Sequence, residues 1–121
     1  ELWRRSIYRF VVRSTPHGFM NALDCPDPAV MTPKRLTTTT AAQTLALFNN
    51  DFMLRQSAYF AERLQSVSTN FDEQITLGFK LAFARPPETS ETVAAHDLIQ
   101  SSGLATFCRA LFNANEFVYL D

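Results

Sequence analysis

The stretch "AAQTLALFNNDFMLRQSAYFAERLQ" (residues 41–65) has the apolar spacing of a helical protein. Its large apolar side chains return near every third or fourth position, as they do along one face of an α-helix. The run Asn49-Asn50-Asp51 interrupts this pattern with poor helix formers. We therefore predict one helix before this run and a longer helix after it.

Three more helices are predicted toward the C-terminus. "FDEQITLGFKLAFAR" (71–85) is expected to start at Asp72 as the N-cap and to stop before Pro86 and Pro87, which cannot continue a helix. "ETSETVAAHDLIQS" (88–101) offers Thr89 or Ser90 as its cap. Gly103 then separates it from "LATFCRALFN" (104–113), which fits the helical template completely.

The first forty residues lack the helical pattern of the later segments: they contain four of the six prolines and little clear periodicity. A structureless stretch of this length is unusual in a compact domain, so it either packs on the helices or belongs to an interface. We predict an all-α fold in one domain, residues 1–121. A compact bundle of about four to five helices (40–121) would carry the Pro-containing N-terminal segment (1–39) packed across it.

The composition argues against some classes of function, among them nucleic-acid binding and membrane spanning. The chain has 121 residues, 46% of them apolar and 19% charged, which is ordinary for a soluble globular domain. A net charge of −1 gives no drive to bind nucleic acid, and no apolar run approaches the roughly 20 residues of a membrane span. The sequence opens inside an apolar pattern without an initiator Met, so we expect a fragment of a longer protein.

The cysteines and histidines do not suggest a metal or haem site in this chain. Cys25 and Cys108 are far apart, and His17 and His96 lie at unrelated spacings. Two small buried thiols are the favoured interpretation. A Cys25–Cys108 disulfide is the alternative if the protein is exported.

One phrase occurs twice, as "ALFNNDF" (46–52) and "ALFNANEF" (110–117). We interpret it as a way of ending a helix: the Asn takes a left-handed conformation, and Asp51 or Glu116 caps the next segment. The alternative is a site for a hard cation, although no calcium-loop spacing is present. Its oxygen ligands would be Asn49, Asn50, Asp51, Asn113, Asn115 and Glu116.

Two further sets of polar residues are candidates near the N-terminus. Asp24 and Asp27 are either a carboxylate pair for acid–base chemistry or, more simply, Asx turns between prolines. Lys34 and Arg35 precede four threonines and suggest either a phosphate site or a helix N-cap at Thr38 or Thr40.

Two arginines near the apolar helices are candidates as well. Arg85 precedes Pro86, and Arg109 lies within an apolar helix. An arginine near a core usually pairs with a carboxylate or caps helix carbonyls, and we expect Glu116 to pair with Arg109.

Five blocks of the sequence together resemble a known family. They are "RRSIYRF", "DCPDPAVMTPKR", "TTTTAAQTLALFNNDFMLRQSAYFAERL", "LAFARPPETSE" and "FCRALFNANEFVYLD". In this order they are similar to a planctomycete-associated C-terminal domain, domain of unknown function 1553. The chain departs from that pattern at Ala41 and Ala42, where the family usually has Pro-Leu before Gln43.

The resemblance implies a setting rather than a reaction. Family members are C-terminal parts of large exported bacterial proteins, often with a cytochrome c-like, haem-binding module upstream. It therefore implies an extracytoplasmic location, no cofactor in this chain, and a haem only in an upstream domain. The implied partners are those upstream domains, other extracytoplasmic proteins or polysaccharide. The family supplies no catalytic residue to carry over.

Two functional hypotheses follow. The first is a helical module, non-catalytic on its own, that acts in assembly or interaction within a large exported protein. The second is a contribution to a polysaccharide-processing or redox enzyme whose site is shared with upstream domains. The candidate shared-site or motif residues are Asp24, Asp27, Arg35, Gln43, Asn49, Asn50, Arg85, Arg109, Asn115 and Glu116.

Overall fold

The prediction of an all-α fold is confirmed. A computed structural model of the protein describes residues 5–8, 10, 12, 15, 17–27, 30–34, 38 and 40–119. The described residues are 71% helical, and none of them lies in a strand.

Five helices account for most of the structure, in agreement with the predicted number. They are α2 (Ala41–Asn49), α3 (Asp51–Val67), α4 (Phe71–Phe83), α5 (Thr89–Ser102) and α6 (Leu104–Phe112). The described residues also form two shorter helices, α1 (Gly18–Ala22) and α7 (Asn115–Val118), and a 3-10 helix at Ser6–Tyr8. These short elements lack the length over which helical periodicity can be read from a sequence.

The chain divides into two compact units, residues 1–46 and residues 47–121. In the first unit, α1 is capped by His17, whose Nδ1 accepts a hydrogen bond from the Met20 N–H at 3.4 Å. The chain then turns back, and the Cys25 N–H donates to the Met20 carbonyl at 3.0 Å. A single domain, with residues 1–39 packed across the helices, stays a prediction.

The core of the second unit is built around α6, which packs against α3, α4 and α5. Gly78 on α4 allows a close approach to α6, because a Cβ there would lie 3.1 Å from Phe107 Cε1 and 3.3 Å from Leu111 Cδ1. The buried cluster shares an apolar character and comes from four helices. It comprises Ala61, Leu64, Ile75, Phe79, Ala95, Ile99, Leu104, Phe107, Cys108 and Leu111.

Two predicted helix starts are wrong by one or two residues. Helix α4 is capped by Asn70, whose Oδ1 accepts from the Asp72 N–H at 2.9 Å, so Asp72 lies inside the helix. Helix α5 is capped by Glu88 rather than Thr89 or Ser90. The reason is that the Glu91 carboxylate accepts the Glu88 N–H at 2.7 Å, which fixes the start one residue earlier.

The predicted helix ends agree with the structure. Helix α4 stops at Phe83, and Ala84 takes the left-handed conformation (φ 58°) before the two prolines. Gly103 separates α5 from α6 with φ 85°, a backbone conformation that glycine adopts without a steric penalty.

The described residues contain neither a cluster of metal ligands nor a membrane-spanning helix. No group of three or more His, Cys, Asp or Glu residues there could hold a metal ion. None of the described helices combines the length and apolarity needed to cross a bilayer. Cys25 and Cys108 are both free, and burial in the core raises the pKa of the Cys108 thiol to about 12.

Candidate functional site

A hydrogen-bonded cluster in the first unit joins two of the predicted residues. The Asp24 carboxylate accepts from the Thr38 N–H at 2.7 Å and from the Gln43 Nε2 at 2.9 Å. The Thr38 hydroxyl donates to the same carboxylate at 2.7 Å. Asp24 itself has a left-handed backbone (φ 55°), which Asp tolerates better than most residues. The cluster therefore ties the turn after α1 to the start of α2.

Gln43 is buried in this cluster and pairs with Thr40 at the start of α2. Its Oε1 accepts from the Thr40 N–H at 3.1 Å, and its own N–H donates to the Thr40 hydroxyl at 3.3 Å. This reciprocal pairing is a capping box, so the predicted N-cap role of Thr40 is confirmed. Both ends of the Gln43 carboxamide are occupied by bonds within the chain, which indicates a structural role.

The other candidate residues of the first unit provide less evidence for a functional site. The Asp27 carbonyl accepts from the Val30 N–H at 3.2 Å, which places Asp27 in a turn. Arg35 lies outside the described residues, so the phosphate-site hypothesis for Lys34 and Arg35 stays a prediction.

In the second unit, Arg85 forms the centre of an ion-pair cluster. Its Nη2 lies 2.7 Å from Glu91 Oε1 and its Nε lies 2.8 Å from Glu116 Oε1, and each carboxylate receives a second bond at 2.8 Å. The guanidinium also lies over the Phe79 and Phe83 rings, at 5.5 and 5.6 Å from their centroids. Arg85 thus joins the end of α4, the first turn of α5 and α7.

These contacts perturb the titration of all three groups. Hydrogen bonds from Arg85, and then from the Glu88 N–H, lower the pKa of Glu91 to about 2. The same guanidinium lowers the pKa of Glu116, and both carboxylates raise the pKa of Arg85. The guanidinium offsets the charge of two partly exposed carboxylates that repel each other, so the cluster is suited to hold helices together.

The predicted pairing of Arg109 with Glu116 is wrong. Glu116 is bound by Arg85, and the Nη2 of Arg109 donates instead to Asn49 Oδ1 at 3.3 Å. The Arg109 guanidinium lies 4.3 Å above the Phe48 ring, a cation–π contact. Its Nε is buried and has no hydrogen-bond partner among the described residues.

The interpretation of the repeated phrase as a helix end is confirmed, but by a different mechanism. The first copy ends α2, and Asn50 caps α3 by accepting from the Phe52 N–H at 3.0 Å. The second copy ends α6, where Asn113 Nδ2 donates to the Arg109 carbonyl at 2.8 Å. Neither Asn has the expected left-handed backbone. The acidic residues also do not cap: Asp51 is the first residue of α3, and Glu116 is used in the ion pair.

An open groove lies between α3, α4, α6 and α7. Its volume is about 350 Å³, and its residues come from these four helices. The Phe112 ring lines the groove, with its centroid 5.3 Å from that of Phe60 and 5.1 Å from that of Phe117. The remaining lining residues are Gln56, Tyr59, Arg63, Leu81 and Ala82.

Apolar side chains near the N-terminus of the first unit are strongly exposed. Ile7 is 80% exposed, Phe10 89% and Met31 96%. Tyr8, Val12 and Val30 are exposed as well. We call Ile7, Tyr8, Phe10 and Val12 the N-terminal apolar patch.

The structure therefore brings the predicted residues into separate groups. Asp24 meets Gln43 in the first unit, while Arg85 meets Glu116 and Arg109 meets Asn49 in the second. Asn50 and Asn115 act through local backbone bonds: Asn50 caps α3, and the Asn115 carbonyl accepts the Tyr119 N–H at 2.8 Å. The hypothesis of an enzyme site shared with other domains stays a prediction.

Several residues of interest were missed from the sequence. Glu91 was not among the candidate residues, although an acidic residue three positions into a helix is a known sign of a capping interaction. Gln56, Tyr59 and Arg63 were passed over because a polar residue on an amphipathic helix carries no sign of the groove beside it.

Comparison with known proteins gives one result. A family model described as "Protein of unknown function (DUF1553)" matches residues 1–99. No curated protein and no solved structure matches the chain.

Proposed function

We propose, from the premise that this chain belongs to the DUF1553 family of proteins of unknown function, that it is a helical interaction module. It acts in the assembly of a larger exported protein and is non-catalytic on its own. The surface we assign to this role is the N-terminal apolar patch. Its partners are other domains of the same protein or other extracytoplasmic proteins.

The observation that carries the proposal is the exposure of this patch. Four large apolar side chains fall within six residues, and each is more than two fifths exposed. Single exposed apolar residues are normal on monomers, whereas clusters of them mark interaction surfaces. Fully burying an Ile or Phe side chain stabilises a contact by about 1.5–3 kcal/mol, so a partner that covers the patch gains substantially.

The polar clusters support the same function. Asp24, Arg85 and Gln43 make their bonds within the chain, and these bonds connect helices and turns. Side chains bonded in this way stabilise the arrangement of the helices and turns, which is the role expected in a non-catalytic module. No feature of the described residues favours a second function specifically.

The test uses the complete natural protein that carries this chain. The double variant Ile7→Ser/Phe10→Ser removes two exposed side chains and should leave the helical circular dichroism unchanged. We expect amide hydrogen exchange at residues 5–12 to be slow in the unaltered complete protein and to accelerate in the double variant.

A matched control removes exposed apolar surface elsewhere. Val67 and Val93 lie on α3 and α5 and are exposed, so Val67→Ser/Val93→Ser changes apolar content without touching the patch. If residues 5–12 exchange as fast in the unaltered complete protein as in the double variant, no partner covers the patch and the proposal fails.

A further inference from the structure

The groove of the second unit is lined by aromatic rings and by exposed apolar side chains. Phe60, Phe112 and Phe117 form a continuous row of rings, and Phe117 is 40% exposed. Leu81 of α4 also lines the groove and is 44% exposed. A volume of about 350 Å³ is enough for one large apolar side chain and the backbone beside it. The groove is open rather than enclosed, which suits a chain segment lying along it better than a small molecule.

Two polar side chains of α3 line this groove without internal partners. The Gln56 carboxamide is half-buried and bonds to no described residue, and the Arg63 guanidinium likewise has no hydrogen bond or ion pair within the described part of the chain. This differs from Arg85, whose donors are taken by two carboxylates and a carbonyl. Gln56 and Arg63 are therefore free to bind a partner.

Their spacing sets the geometry of that partner. Seven residues along an α-helix separate them, which corresponds to a rise of about 10.5 Å. An extended segment advances about 3.3 Å per residue, so roughly three residues span the distance. A carboxamide donates and accepts together, which matches a peptide backbone, while a guanidinium matches a carboxylate.

We propose that this groove binds an extended protein segment in which a large apolar or aromatic residue stands about three positions from an acidic residue. The apolar side chain enters the hollow above Phe112, Gln56 bonds the segment's backbone, and Arg63 pairs with its carboxylate. The charge of the lining selects an acidic partner, because Arg63 is its only charged residue among those described. This proposal uses the second unit and does not depend on the N-terminal apolar patch.

The test uses the 121-residue chain labelled with nitrogen-15 and three synthetic peptides of about ten residues. The first carries one Phe with Asp three positions after it, among Gly and Ser; its twins replace Asp by Lys or Phe by Ala. For a contact of this size we expect a dissociation constant on the order of 100 μM for the first peptide. Amide shifts should concentrate at Gln56, Tyr59, Arg63, Leu81 and Phe117.

Two variants of α3 separate a specific contact from a general charge effect. Arg63→Glu should weaken binding of the first peptide by about tenfold. Arg55→Glu makes the same charge change on the same helix, at an exposed residue outside the groove, and should change it by less than about twofold. Leu81→Ser should weaken binding because it removes an apolar side chain that lines the groove. Thermal unfolding checks that each variant is folded, since all three side chains are exposed.

Three outcomes would overturn the proposal. One is the absence of shifts with the first peptide up to about 2 mM, where even a weak contact is populated. Another is equal binding of the Lys twin, which removes the role of Arg63. The third is an equal effect of Arg55→Glu and Arg63→Glu, which assigns the binding to long-range charge.

Discussion

The two copies of the repeated phrase have nearly the same letters and very different surroundings. In the first copy, Leu47 is half-buried and Phe48 is exposed. In the second copy, Leu111 is buried in the core and Phe112 packs between Phe60 and Phe117. The phrase ends a helix in both places, so local sequence determines that feature. How much each copy stabilises the fold depends on what lies across from it.

Each copy is also contacted by one arginine, and the two arginines differ in their partners. Arg109 contacts the first copy through a neutral Asn49 and the Phe48 ring. Arg85 contacts the second copy through the carboxylate of Glu116 and holds Glu91 at the same time. The second contact is the stronger one, because both partners are charged and its hydrogen bonds are 2.8 Å long, compared with 3.3 Å in the first. Both arginines contact a copy of the repeated phrase, but only Arg85 connects its copy to a cluster of charged side chains.

The largest expected effect comes from truncating the matched leucines. Leu111→Ala leaves a cavity in the core beside Gly78 and should lower the free energy of unfolding by about 3 kcal/mol. Leu47→Ala, which removes a half-buried side chain, should lower it by about 1 kcal/mol. Urea unfolding followed by circular dichroism measures both. Equal losses would mean that the two copies are equally buried in solution.

The sequence predicted the helices well because their signals are local. The apolar spacing, the Asn49-Asn50-Asp51 break, the two prolines and Gly103 each act within one turn of the chain. The helix starts at Asn70 and Glu88 were missed because several neighbouring residues could serve as caps, and the choice depends on side-chain bonds. When several neighbouring residues have similar capping preferences, residue type alone does not decide which one caps the helix.

The candidate sites were predicted less well because they depend on contacts between distant residues. Arg85 and Glu116 are 31 positions apart, and nothing in the sequence ranks Arg85 above Arg109 as the partner of Glu116. The pairing is decided by the positions of α4 and α7. The groove was also missed, because it exists only where side chains from α3, α4, α6 and α7 meet.

A smaller effect is expected at the asparagines of the two copies. Asn50→Ala removes the side-chain cap of α3 and should cost about 1 kcal/mol of unfolding free energy. Asn113→Ala removes one bond to the Arg109 carbonyl and should cost about 0.5 kcal/mol. Asn50→Ser keeps a capping oxygen and should restore most of the loss, as measured by urea unfolding. A larger cost at Asn113 than at Asn50 would contradict the assigned roles.

The smallest expected effect is a pH dependence that belongs to the second copy alone. Arg85 holds the pKa of Glu91 at about 2, below its ordinary value of 4.5, and it lowers the pKa of Glu116 as well. The folded chain therefore binds fewer protons than the unfolded chain in this range. The stability that these carboxylates contribute is complete above about pH 4.5 and is lost as the pH falls toward 2. Because the groups are partly exposed, water screens the effect, and we expect only a few degrees in Tm.

Two methionine variants separate this effect from general acid unfolding. Arg85→Met should melt below the unaltered chain at pH 7, and the gap should close as the pH approaches 2, where the carboxylates become protonated. Arg109→Met is the matched control for the first copy, since its partner Asn49 does not titrate, and its gap should stay constant over the same range. Thermal unfolding at several pH values measures both gaps. A gap for Arg85→Met that does not change with pH would show that its ion pairs do not stabilise the fold, and the electrostatic difference between the two copies would then disappear.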